Sequence, residues 1–205
     1  MHGVLMGKTE IPSPPPRAMR ADARRNEGLL LTAAAAAFAE HGSDASLDDI
    51  ARRAGVGIGT LYRHFPTRQA LAMAVYRDYV VALGAQAREL LAFPSPEEAL
   101  GIWLRAVAAY GATKRGLAEF LQASMREGES EMTWCKEEMH AAGSALLIRA
   151  QQAGTVRPDA DISDLLRLAQ GIAWASDTAP DGIDRTDRFF SIVMDGLRRQ
   201  EPTEK

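Results

Sequence analysis

The 205-residue sequence holds a single cysteine, Cys135. One thiol cannot form an internal disulfide, and it excludes zinc sites built from several cysteines. Histidines stand only at positions 2, 41, 64 and 140. Neither G-x-S-x-G nor H-E-x-x-H occurs, so nothing resembles a catalytic constellation and no enzyme is expected. No apolar run approaches the roughly 18 residues that mark a spanning helix. Gly7, Lys8 and Glu10 interrupt the start, so it has no signal-peptide pattern. A cytoplasmic protein without a membrane partner is therefore expected. Charge of one sign is also scarce. The net charge is −3, which by itself argues against a nucleic-acid partner.

Alanine, by contrast, is abundant, with 36 residues, while aromatics make up only 6%. Alanine is the best helix former and carries little bulk, so an all-α fold is expected. The charge is unevenly spread. Residues 1–69 carry nine Lys/Arg against seven Asp/Glu, and the remainder fifteen against twenty. The bases of the first third are arginines (Arg17, Arg20, Arg24, Arg25, Arg52, Arg53, Arg63, Arg68) apart from Lys8. Arginine makes bidentate contacts to phosphate and guanine, although a solvated helix face is equally basic.

Residues 1–19 contain Pro12, Pro14, Pro15 and Pro16 and read as a disordered tail. Gly7-Lys8-Thr9 matches the end of a phosphate-binding loop, but His2 stands where that motif needs glycine. Helical spacing of Leu30, Ala34, Ala37, Phe38 and His41 places a helix over 20–41, closed by Gly42. Ser46 caps a short second helix that Gly55 stops, and a third runs Ile58–Phe65 until Pro66. A fourth extends from Thr67 to about Leu91. Later starts are marked by Ser95-Pro96, residues 116–126, Glu131, Asp161 and Asp184. This makes about nine helices in all, with no convincing strand. The division expected is a tail over 1–19 followed by helical units over 20–66 and 67–205.

Two short helices joined by a glycine turn, after a longer helix, form the layout of a helix-turn-helix DNA reader. Ala51, Ala54 and Gly55 let the second and third helices approach, and Val56 plugs the turn. On a 100° wheel Leu61 and Phe65 point inward, Gly59, Thr60 and Arg63 point outward, and Tyr62 and His64 lie on the flanks. Small or hydrogen-bonding groups suit a helix entering the major groove, and the flanks suit phosphates. The helix starts at Ser46, Gly57 and Thr67 offer backbone N–H groups to phosphates.

Three segments then resemble the tetracycline-repressor (TetR) family of bacterial regulators. They are Phe38-Ala-Glu-His-Gly, Ser46-Leu-Asp-Asp-Ile-Ala, and Ala54-Gly-Val-Gly-Ile-Gly-Thr-Leu-Tyr-Arg-His-Phe-Pro-Thr-Arg. The resemblance covers about residues 24–75. It implies a homodimer whose two recognition helices enter successive major grooves of a palindromic double-stranded DNA operator. By motif position Gly59 and Thr60 approach base edges, and Ser46, Tyr62, His64, Thr67 and Arg68 contact phosphates. The sequence departs from the common pattern at Gly57 and Ile58, where a serine and a basic residue are frequent. Ile58 turns partly inward or touches a thymine methyl. Arg17, Arg20, Arg24 and Arg25 reach phosphates or the minor groove, or form a solvated basic start.

All three tryptophans lie beyond residue 100. Trp103, Tyr110, Phe120, Trp134 and Trp174 are expected to wall a cavity for an unidentified small apolar effector, the alternative being plain core. The last two helices look apolar on more than one side. Leu168, Gly171, Ala175, Phe190, Met194 and Leu197 are expected at a two-fold interface between protomers, the alternative being burial within one chain. Glu137 and His140 have the i, i+3 spacing of di-iron bundles, but a second copy is missing, so no metal or other cofactor is expected. The function expected is a sequence-specific regulator, released from its operator by a small apolar ligand. The alternatives are a regulator without an effector, and a helical carrier or enzyme with no DNA role.

Overall fold

The computed structural model describes residues 17–113, 121, 130–178 and 183–198. Among them are eight α-helices: α1 (Arg17–His41), α2 (Leu47–Arg53), α3 (Ile58–His64), α4 (Arg68–Leu90), α5 (Pro96–Thr113), α6 (Ser130–Gln152), α7 (Ile162–Asp177) and α8 (Thr186–Leu197). A short 3-10 turn, Gly42–Asp44, leads from α1 towards α2. The described residues hold no strand, only an isolated antiparallel bridge between Val156 and Arg198. The all-helical class is as expected from composition. The expected helix over 116–126 lies outside the described residues, apart from the buried Leu121. No helix among the described residues is long and apolar enough to cross a membrane.

Local chemistry sets the helix ends. The side chains of Ser46 and Thr67 accept from the backbone N–H groups of Asp49 (3.3 Å) and Ala70 (3.0 Å), capping α2 and α4. Ser95 does the same for α5 and Asp161 for α7, while Asp184, one residue before the α8 N-cap Arg185, accepts from the N–H of Thr186. Gly55 and Gly154 close α2 and α6 at φ 70° and 72°, a left-handed conformation that side-chain-bearing residues avoid. The first helix opens at Arg17, three residues before the expected start at 20.

The described residues gather into two hydrophobic cores. The first gathers Leu30, Ala34 and Phe38 of α1, Ile50 of α2, Leu61 of α3 and Leu71, Val75 and Val80 of α4. The second gathers Leu83 and Ala87 of α4, Trp103 and Leu104 of α5, Leu146 of α6, Leu165 and Ile172 of α7, and Phe190 of α8. Along α4 the change falls between Val80 and Leu83, and Cys135 of α6 also joins the first core. Roughly 5.4 Å of rise per turn lets this one 23-residue helix serve both cores. Tyr79 and Met139 pack against both. The far end of α4 is tied down as well. The buried Trp103 indole N–H donates to Leu83 O at 3.0 Å, and Arg149 donates to Phe93 O at 2.6 Å in the turn after α4.

Candidate nucleic-acid interface

The recognition surface rests on α2 and α3. Ala51 and Ala54 are buried where these helices meet, and Val56 in the turn packs against the first core. Leu61 and Phe65 point inward and are almost fully buried. This anchors α3 by one side and fixes which side remains open. Gly59, Tyr62 and Arg63 are exposed, Tyr62 at 49%, while Thr60 and His64 are half-buried. A Cβ placed on Gly57 or Gly59 would meet nothing within 4 Å, so the α3 backbone lies open to an approaching surface. Ile58, left between two orientations by the sequence, is 36% exposed and belongs to the outer side.

The arginines of this unit fall into two sets. Arg53 is held by Glu40 (2.8 Å) and by Asp49 (2.6 Å), which ties α2 to the end of α1. Its hydrogen bond lowers the pKa of Glu40, and the same bond raises that of Arg53. Arg52 pairs with Asp49 yet keeps an exposed side chain. Arg24, Arg25 and Arg63 are exposed. Arg68 is half-buried, and its guanidinium donates to the backbone carbonyl of Ala45. The hydroxyls of Ser46 and Thr67, expected at phosphates, serve as helix caps.

The expected effector residues are not gathered into one cavity. Trp103 is sealed in the second core, while Trp174 is 61% exposed. Trp134 packs against the first core, with the Arg77 guanidinium 5.0 Å from its ring centroid. Tyr110 is half-buried and stacks on Tyr79. Phe120 lies outside the described residues. The junction residue Tyr79 was missed by sequence reasoning, because a residue touching two cores looks like any other member of an apolar stripe.

The outer face of α7 and α8 differs from expectation in a specific way. Phe190, Met194 and Leu197 are buried in the chain's own core, so they present little surface to a partner. In their place Phe189, Ile192 and Val193 of α8 face Leu168, Gly171 and Ala175 of α7 across an open groove of about 620 Å³. Ile192 is 60% exposed. Asp164 and Arg167, 3.1 Å apart, stand at its polar rim.

An anchored helix-turn-helix with an open α3 face defines a DNA-binding regulator. Known proteins agree. Residues 30–75 match the family model of bacterial regulatory proteins of the tetR family. Residues 95–199 match the C-terminal domain of SbtR-like transcriptional regulators. The TetR transcriptional regulator SCO0520 from Streptomyces coelicolor is 39% identical, with 85% of this chain and 99% of that chain covered and a TM-score of 0.72. The HTH-type transcriptional repressor KstR2 from Rhodococcus jostii is 28% identical over 193 residues, 85% of this chain and 91% of that protein. The HTH-type transcriptional regulator SAR0097 from Staphylococcus aureus is 37% identical over 79 residues; the match spans 37% of this chain and 41% of that protein. The chain belongs to the tetR family and is a DNA-binding transcriptional regulator.

Proposed function

We propose that this regulator is a homodimeric repressor released from a palindromic operator by a small, largely apolar ligand. The observation that carries the reading is the span of α4, which supplies Leu71, Val75 and Val80 to the core under the DNA-reading helices and Leu83 and Ala87 to the core of the second unit. A change in the second unit that tilts α4 moves the reading head with it.

In this reading α3 enters the major groove with Gly59 and Thr60 towards base edges and Ile58 towards an apolar base edge. Arg63 points outward into the groove, Tyr62 and His64 face the phosphates on its flanks, and the N-terminal ends of α2 and α4 at Ser46 and Thr67 lie beside the backbone. The groove between α7 and α8 receives the same groove of a second chain, because a two-fold four-helix contact covers the exposed Leu168 and Ile192. Two recognition helices then meet half-sites about 34–36 Å apart. The ligand sits beside Tyr79 and Met139, which touch both cores, with Met132 and Trp134 on the first core and Tyr110 stacked on Tyr79. It dissociates the complex only if it binds the DNA-incompetent arrangement more tightly. The sealed position of Trp103 favours a second reading, a regulator with no small-molecule effector.

The test is a panel of apolar compounds, followed by tryptophan fluorescence and by anisotropy of a labelled operator. The proposal predicts that a compound which quenches Trp134 also weakens operator binding. Quenching at saturation with operator affinity unchanged would exclude ligand release.

A further inference from the structure

We propose that Arg68 is a positioning residue for DNA readout rather than a phosphate contact. It locks the start of α4 to the entry of α2, so that α2 and α3 keep a fixed orientation on the helix that carries them.

Arg68 is the first residue of α4, directly after the Thr67 cap and the α3–α4 turn. Its Nη1 donates to the carbonyl oxygen of Ala45, 23 positions earlier in the chain. Ala45 is fully buried in the first core and immediately precedes Ser46, the cap of α2. A charged donor on a carbonyl makes a stronger bond than a neutral one, and a guanidinium holds direction better than an ammonium. The bond thus joins the first turn of α4 to the buried residue that immediately precedes the cap of α2. Leu61 and Phe65 hold α3 in the same core. The far side of α2 is held separately, because Arg53 pairs with Glu40 of α1. Arg68 is therefore the charged tie between the reading head and the helix that sets its angle, whereas Arg63 points outward and is exposed.

The roles give different signatures. Loss of a phosphate contact weakens binding to all sequences alike and lowers the slope of log affinity against log salt by about 0.9 per contact. Loss of a positioning bond leaves contacts to random DNA in place and degrades the match to particular base edges. A purely structural role lowers the folded fraction and leaves both the slope and the sequence preference unchanged.

The experiment uses the full chain with Arg68→Met, and Arg63→Met beside it for contrast. The probes are the duplex that the wild-type chain enriches from random 40-mers, and a shuffled duplex of the same composition. For Arg68→Met we expect the affinity ratio of enriched to shuffled duplex to fall by about tenfold or more. Shuffled-duplex affinity should stay within about twofold, with its salt slope intact. Arg63→Met removes an exposed charge that faces DNA, so it should weaken both duplexes and reduce the slope. Equal weakening of both duplexes by Arg68→Met, with or without a lower slope, would overturn the assignment, and so would wild-type behaviour. The Arg68 assignment rests on DNA reading by α3; enrichment of no duplex by the wild-type chain would overturn that reading itself, a result distinct from uniform weakening.

Discussion

Tyr79 of α4 and Tyr110 of α5 stack with ring planes 6° from parallel, and the Tyr79 hydroxyl shares its one proton between the carbonyls of Ala106 and Val107, each at 3.4 Å. The pair lies where α4 passes from one core to the other, and burial raises the pKa of both phenols above the usual range. Tyr79→Leu keeps apolar bulk and removes both the stack and the polar contact. It should destabilise the protein by about 1–2 kcal/mol and separate the unfolding of the two cores. Scanning calorimetry checks this. A single transition at the wild-type temperature would show that the pair does not join the cores.

The groove between α7 and α8 leads to a second expectation. Ile192→Glu places a charge in the centre of the proposed two-fold contact but on an exposed side chain of the single chain. The variant should therefore fold normally and sediment as a monomer at micromolar concentration, because an unpaired charge resists burial. A dimer of unchanged affinity would move the interface elsewhere.

Packing around Gly143 is tight enough to test the second core directly. A Cβ there would lie 2.7 Å from Trp103 Cζ3 and 2.6 Å from Ile162 Cδ1. Gly143→Ala improves helix propensity by up to about 1 kcal/mol, but overpacking costs about 1–3 kcal/mol. Denaturant unfolding should show a net loss, and a more stable variant would contradict the packing described.

Cys135 has no surface exposure, and burial pushes its thiol up to about 11. The native state therefore holds a proton that the unfolded chain releases near 9.0. The resulting stability is present below pH 9 and is lost as pH rises through about 11. Native protein at pH 8 should resist iodoacetamide and react only on unfolding. Cys135→Ala should flatten the alkaline fall in stability between these values.

Much of this architecture is legible in local sequence. Ser46, Thr67, Ser95, Asp161 and Asp184 mark helix starts, and each side chain accepts a backbone N–H within three residues. Glycine marks the ends of α2 and α6. The inward turn of Leu61 and Phe65 follows from the 100° periodicity of α3. What escapes local reading is which apolar stripe meets its own chain. In sequence Phe190, Met194 and Leu197 form as good an apolar stripe as Phe189, Ile192 and Val193, and only the packing of α8 shows which one is buried. Arg68 escapes for a related reason, since its partner carbonyl stands 23 residues away. Net charge also misleads in the reading head, where the glutamate and aspartate around Arg53 neutralise one of the bases counted.

The central claim is that the open face of α3 is the face that meets DNA, and Gly59→Leu tests it most directly. Nothing lies within 4 Å of the added Cβ, and leucine favours helix over glycine, so the variant should be at least as stable as the wild type. Its side chain would fill the space between α3 and the groove floor. Anisotropy titration with the duplex enriched by the wild-type chain should show at least about a tenfold loss of affinity in a protein with an unchanged or higher melting temperature. Wild-type affinity in that stable variant would contradict the account.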